Sequence, residues 1–307
     1  MARRTWSRYP RRTFYLFVGP WVLGFLLLTA VPLVYAFGVS LTNFDGSSPR
    51  WRWVGLRNYS ELLGDHDAWA ALIRTIGFTA IAVPLSVAGA LGLAVLLNRR
   101  LKAVGLWRTI FFLPSVVPVV AMAIMWKLVL NRDAGILNAI LGVAGIHPIR
   151  WLVDPMAFYA LIILTLWGLG GGMVIMLAAL QGVPTELEEA ARVDGAGRWR
   201  VFRHVTVPMI SPVVFFQVTT GVIATFQIVV QPLLLAETNS ISGVGQVPQS
   251  THLYMVQVYQ EFFLDNRFGY GSAMLWVFFL VILAFTLLVQ RSSRLWVHYE
   301  VDSDADR

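Results

Sequence analysis

Few residues in this sequence could do chemistry, and most of them lie in one stretch. Residues 181–212 read QGVPTELEEAARVDGAGRWRVFRHVTVPMISP. They hold four of the 17 acidic residues (Glu186, Glu188, Glu189, Asp194), together with Arg192, Arg198, Arg200 and Arg203. The five histidines, His66, His147, His204, His252 and His298, show no paired metal-ligand spacing. With no cysteine in the chain, there is neither a disulfide framework nor a thiolate site. The only lysines, Lys102 and Lys127, follow no Gly-rich loop, so a phosphate-binding loop is not encoded. What remains is hydrogen-bonding chemistry. Gln217, Thr220, Gln227 and Gln231 fall with Ala224 on one helical stripe, by spacings of 3, 4, 3 and 4. An amide turned to lipid is costly, so the stripe faces either neighbouring helices or a hydroxyl-rich solute. Trp167-Gly168-Leu169-Gly170-Gly171-Gly172 places four glycines in five residues beside an indole. Each weakens a helix by up to ~1 kcal/mol relative to Ala, so the run implies close packing or a flexible break. Trp167 could stack on a solute ring and donate its N–H. Ser115, between Pro114 and Pro118, is a weaker candidate of the same kind.

The elements that must position these groups are membrane helices. The chain of 307 residues is 57% hydrophobic and 13% charged, with mean hydropathy +0.66; a soluble domain carries about 25% charged residues. Charge-free apolar runs lie at Phe14–Phe37, Thr75–Leu97, Thr109–Trp126, Met156–Leu180, Val213–Ala236 and Ser272–Gln290. Each approaches or exceeds the ~20 residues that cross a bilayer, which predicts an all-α membrane protein of six spans. The net charge of +7 does not point to nucleic acid, because the basic residues sit beside the spans. With the N-terminus inside, 16 of the 24 Lys and Arg fall in 1–13, 98–108, 181–212 and 291–307. The bias predicts both termini and the 181–212 loop on the cytoplasmic side. Lys127 is placed to snorkel to an interface. The predicted layout is a basic N-terminal segment 1–13 (with Arg3, Arg4 and Arg8), a membrane domain 14–290, and a tail 291–307 carrying Glu300, Asp302, Asp304 and Asp306.

The spans also bear on energy supply. None contains Asp, Glu, Lys, Arg or His. Carriers driven by protons or sodium usually place such groups near the bilayer centre, and an intramembrane hydrolase needs an acid, base or metal ligand there. If transport is ATP-driven, the ATPase must be another polypeptide, and the patterned loop is its natural docking point. A stand-alone carrier or channel, or a scaffold whose loop binds a cytoplasmic partner, are the alternatives.

The loop has a readable local design. Pro184 stops the preceding span, Thr185 is a good N-cap, and Glu188 three residues on completes a capping box. Glu186, Glu188 and Glu189 favour the first turn. Gly195 suits the left-handed position that ends a helix. A second short amphipathic helix over 197–205, with Trp199, Phe202 and Val205 on one side, is expected to end at Pro208 and Pro212.

Glu189-Ala190-Ala191, Gly195, and then Val205-Thr206-Val207-Pro208 at this spacing resemble the "EAA" loop of permease subunits of binding-protein-dependent ABC importers. The longer run EAARVDGAGRWRVFRHVTVP is similar to the carbohydrate-type, maltose and glycerol-phosphate branch. Val54-Gly55-Leu56-Arg57-Asn58-Tyr59 resembles the "GLxNY" segment of the same branch; physically it reads as a turn before a short interfacial helix. The resemblance implies a type I importer permease in a prokaryotic plasma membrane, carrying a sugar or related polyol. It implies that Glu188, Glu189, Ala190, Ala191, Asp194, Gly195 and Pro208 belong to the coupling helix region. It also implies a solute path near Trp167, Gly168, Gln227 and Gln231, between the helices before and after the loop. No cofactor is expected in this chain. The implied partners are a second, related permease, two ATPase subunits that bind ATP and Mg, and an extracytoplasmic solute-binding protein.

Overall fold

The computed structural model describes residues 11–49, 51–99, 102–238 and 245–298. The predicted basic segment with Arg3, Arg4 and Arg8 and the tail acids from Glu300 onward lie outside the described residues. The helices are α1 (Arg11–Phe25), α2 (Val31–Ser40), α3 (Arg57–Gly64), α4 (His66–Leu97), α5 (Val104–Phe112), α6 (Val119–Val129), α7 (Ile136–Val143) and α8 (Met156–Trp167). They continue with α9 (Gly170–Gln181), α10 (Thr185–Val193), α11 (Arg198–Val201), α12 (Val207–Phe226), α13 (Val230–Leu235), α14 (Tyr254–Phe263) and α15 (Phe268–Trp296). A two-residue antiparallel ribbon pairs Glu237–Thr238 with Gly245–Gln246.

Among the described residues, four continuous helices are long and apolar enough to span a membrane: Thr13–Ser40, His66–Leu97, Arg198–Phe226 and Phe268–Trp296. Two bent pairs complete six if each counts as one span: Val104–Val116 with Val119–Val129, at 101°, and Met156–Trp167 with Gly170–Gln181, at 47°. Two expectations are corrected. The third span is not a straight rod over 109–126. Val117 is extended (ψ 128°) because it precedes Pro118, whose ring disfavours a helical predecessor. The helix that carries the second apolar run starts at His66, ahead of Thr75. The fifth span does not run to Ala236; its helix ends at Phe226, and α13 begins after a break at 227–229. Pro232 accounts for the break: in an unbroken helix its ring would meet the carbonyl of Ile228 and it has no N–H to give.

The chain divides into two compact units, residues 1–65 with 258–279, and 66–257 with 280–307. In the first, the span Thr13–Ser40 buries none of its apolar window against the rest of the chain. What holds it lies at its Ser40 end. Asn58, in the segment read as GLxNY, is buried, and its Nδ2 donates to Ser40 O and Thr42 O, both at 2.8 Å. Tyr59 Oη pairs with Ser40 Oγ at 2.7 Å. Gly269 N–H donates to Phe44 O at 2.9 Å, and a Cβ at Gly269 would lie 2.0 Å from Thr42 O. The segment is therefore a clamp on the carbonyls that end α2, beyond the turn and helix expected of it. Arg267 adds ion pairs to Glu61 and to Glu261 (3.2 Å) and lies 4.2 Å over the Tyr270 ring. Asn58→Leu leaves two carbonyls unpaired and is expected to destabilise this unit by about 1–3 kcal/mol, read as a lower unfolding temperature in detergent.

The second unit is built round α4, which packs on α5, α8, α9 and α12. One apolar cluster gathers Phe78, Ala82, Leu161, Leu164, Ile228 and Leu253; another gathers Ala90, Ala94, Met173, Met176, Leu177 and Ile210. Lys127, read as an interfacial residue, has a partner within the chain. Its Nζ donates to Ala236 O at 2.5 Å, at the carbonyl end of α13, where the helix dipole favours a cation.

Candidate functional site

The hairpin 181–212 is helix, bend, helix, as expected, but its ends are made differently. Thr185 is the first residue of α10 and Pro184 is its N-cap, with no side-chain cap bond. The capping box does not form because the Glu188 carboxylate is engaged elsewhere. It accepts from Thr206 Oγ1 at 3.0 Å, across the bend, and from Arg192 Nη2 at 3.2 Å. A tertiary partner displaces a local one. The bend is a complete Schellman motif: Ala196 N–H donates to Ala191 O at 2.9 Å and Gly195 N–H to Arg192 O at 3.0 Å. Gly195 has φ +80°, the left-handed conformation predicted for it.

Pro208 and Pro212 do not end the second helix. α11 runs through a π turn, Phe202–Thr206, straight into α12, so both prolines lie inside one long helix. In the π turn, Val207 N–H donates to Phe202 O, one residue beyond the α register. This extra residue frees the turn that Pro208 would otherwise obstruct. The same arrangement precedes Pro32, where Val31 N–H donates to Leu26 O.

The outward side of the hairpin is mixed. Leu187, Val193 and Trp199 are 44%, 88% and 71% exposed, whereas Val201 is buried. Trp199 shares a side with Phe202, as the amphipathic reading expected, their ring centroids 5.7 Å apart. Glu189, Ala190 and Asp194 are exposed and Ala191 is half-buried. Glu189 has no hydrogen-bond or ion-pair partner among the described residues, in contrast to its neighbour Glu188.

Within the second unit a cavity of about 380 Å³ lies between α4, the α8–α9 break and α12. Gly168, Gln217, Thr220 and Ala224 line it, joined by Ser86, Thr165 and Thr225, which the sequence did not single out. The polar stripe is cut by the break after Phe226. Gln227 caps α12 and Gln231 sits on α13, and neither lines the cavity. Trp167 also lies off it, edge-on to Trp126 at 6.0 Å. Exposed Ser115 donates to Phe112 O at 2.7 Å, and its Cβ is 4.0 Å from the position a Cβ on Gly171 would take.

The glycine run serves close approach as well as the break. A Cβ on Gly170 would lie 2.3 Å from Phe111 O, and one on Gly172 would lie 2.8 Å from Gln217 Oε1. Gln217 Nε2 donates to Gly172 O at 2.7 Å, so this amide does join helices. Gly170→Ala sets a methyl against backbone that cannot move aside. Overpacking of this kind costs about 1–3 kcal/mol or more. The expected result is a clear drop in folded protein in the membrane, measured by size-exclusion chromatography, while Gly92→Ala, with nothing within 4 Å, leaves it unchanged.

Comparison with known proteins gives a consistent result. Residues 82–297 match the family described as "Binding-protein-dependent transport system inner membrane component". The chain is 36% identical over 291 residues to the "Probable ABC transporter permease protein YesP" of Bacillus subtilis, covering 93% of this chain and 92% of that one. It is 30% identical over 282 residues to the "Trehalose/maltose transport system permease protein MalF" of Thermococcus litoralis, covering 91% and 93%. Its fold is similar, with TM-score 0.81 at 19% identity, to a chain in the "Crystal structure of bacterial alginate ABC transporter in complex with alginate pentasaccharide-bound periplasmic protein", covering 97% and 100%. With its apolar helices and its loop in place between two of them, this chain is a multi-pass inner-membrane protein and belongs to the family of binding-protein-dependent transport system inner membrane components.

Proposed function

We propose that the chain forms half of the translocation pathway of an ATP-driven importer for a sugar or related polyol, and that hairpin 181–212 couples it to a separate ATPase. The carrying observation is the division of labour in α10. Glu188 is held internally by Thr206 and Arg192, and Gly195 fixes the bend, which leaves Glu189 with exposed Leu187, Val193 and Trp199 for a partner. Ala190, Ala191, Asp194 and Pro208 shape this element. The distribution of Lys and Arg puts the hairpin, segment 1–13 and tail 291–307 on the cytoplasmic side, where ATP is available.

The solute class follows the relatives, among them one whose name specifies trehalose and maltose. The cavity at Gly168 belongs to the path, with Trp167 and Ser115 at its margin and Gln227 and Gln231 beyond the α12 break. The partners are a second, related permease, two ATPase subunits binding ATP and Mg, and an extracytoplasmic solute-binding protein. Loaded binding protein outside and ATP inside each favour one orientation of the path, and their coupling drives import. This chain makes and breaks no bonds itself.

The test is isolation of the native complex through a tag on this chain. A co-purifying ATP-hydrolysing subunit and a second permease are expected, with solute uptake in liposomes only when ATP is enclosed. Uptake by this polypeptide alone, without ATP, overturns the proposal in favour of a stand-alone carrier.

A further inference from the structure

Segment 130–151 joins α6 to α8, and its fold turns an apolar stripe outward. Asn131 Oδ1 accepts from the N–H groups of Asp133 at 3.0 Å and Ala134 at 2.9 Å, which bends the chain back on α6. A Cβ on Gly135, the N-cap of α7, would lie 2.6 Å from Val129 O, so α7 starts against the last residue of α6. Buried Asn138 then ties the segment together. Its Nδ2 donates to Arg132 O at 3.0 Å and to Ile149 O at 2.9 Å, and its Oδ1 accepts from Ile149 N–H at 3.1 Å and from Trp151 Nε1 at 3.0 Å. Leu137 beside it packs on the cluster of Phe78, Leu161 and Leu253. These contacts fix the orientation of α7. Its other face carries Ile136, Ile140 and Val143, which are 64%, 62% and 92% exposed. Their spacing puts them on one helical stripe.

We propose that α7 is an interfacial helix whose partner is a phospholipid surface: it lies along the membrane boundary with Ile136, Ile140 and Val143 among the acyl chains. The inference is independent of the transport reading and uses only α6 as the closing half of a bent span. Because α7 begins at the last carbonyl of α6, it shares the depth at which that span leaves the bilayer. An aliphatic stripe at this depth gains by leaving water for the acyl region. The polar groups agree. Arg132 and Arg150, both exposed, flank α7 and are placed for lipid phosphates, and Asp133 is the sole acid in 130–151. Trp151, whose indole N–H is held by Asn138, is of a type enriched at that level. A protein-docking patch is usually anchored by aromatic or arginine side chains at its centre, whereas this stripe is aliphatic throughout.

The chain has no cysteine, so Val143→Cys or Ile140→Cys gives it a single thiol. Val143 is the primary site, because a side chain so exposed takes little packing with it when replaced. Asp133→Cys, in the exposed turn before α7, is the water-facing reference. Protein isolated through a tag on this chain, with the partners it retains, is labelled with a nitroxide and reconstituted in vesicles of phosphatidylethanolamine and phosphatidylglycerol. The parent protein labelled in parallel supplies the blank for partner thiols. Power saturation compares collision with oxygen, which concentrates in lipid, and collision with a water-soluble nickel chelate. The expected result is an oxygen-to-nickel ratio severalfold higher at 143 and at 140 than at 133. A ratio no higher than that at 133 at either position overturns the proposal, since the stripe then faces water. Low accessibility to both reagents overturns it too, and shows a protein surface covering α7 instead of lipid.

Discussion

Gly195→Pro is expected to abolish solute uptake while the chain still reaches the membrane. Proline holds φ near −65°, whereas Gly195 sits at +80°, and proline also lacks the N–H that bonds Arg192 O at 3.0 Å. Both closing bonds of the Schellman motif depend on that geometry, so α10 and α11 must separate or reorient. The damage stays local, because a Cβ at Gly195 would meet nothing within 4 Å and no span packs on it. Gly195→Ala is the graded comparison. It retains the N–H and incurs only the left-handed strain, about 1–2 kcal/mol, so uptake is expected to fall without disappearing. ATP-driven uptake in vesicles, normalised to membrane protein by immunoblot, measures both. Normal uptake by Gly195→Pro would remove the hairpin from coupling.

That hairpin was largely readable in advance, and the reason is physical. A left-handed glycine, a proline stop and first-turn acids act on the backbone within a few residues, so their signal is local. Part of what was missed required a partner distant in sequence. Thr185 and Glu188 make a plausible capping box until Thr206, 18 residues on, takes the carboxylate. Pro208 and Pro212 look like helix ends until a π turn absorbs the first of them. The spans were found because run length and apolarity decide them. Their breaks were harder. The bend at Gly168 was signalled by its glycines, but the break at Gln227 is caused by Pro232, which lies beyond it and could pass for a tolerated membrane proline. Ser86 carried no signal, since a lone serine in an apolar run looks the same whether it faces a cavity or bonds its own helix. Asn58 drew notice through its motif, yet its targets, the carbonyls of Ser40 and Thr42, lie in the chain before it.

Glu189→Lys is expected to lower uptake at least about tenfold, equivalent to about 1.4 kcal/mol in coupling, with the amount and folding of the chain unchanged. The two adjacent glutamates permit a sharp comparison, because one carboxylate faces inward and the other is unoccupied. Glu188→Gln keeps an oxygen to accept from Thr206 and loses the ion pair with Arg192, an i,i+4 contact worth only about 0.3–0.5 kcal/mol. It should transport nearly as well as the parent. Glu189→Lys disturbs nothing inside the chain, but it reverses a charge at the surface assigned to the ATPase, and like charges brought together at an interface cost several kcal/mol. The decisive readout is ATP hydrolysis by the isolated complex alongside uptake. Uncoupling at Glu189 should leave the ATPase subunits active when separated yet poorly retained by the permease. Equal losses from Glu188→Gln and Glu189→Lys would show that the hairpin's overall charge matters and not a contact at Glu189, and unimpaired uptake by Glu189→Lys would place the ATPase elsewhere on the chain.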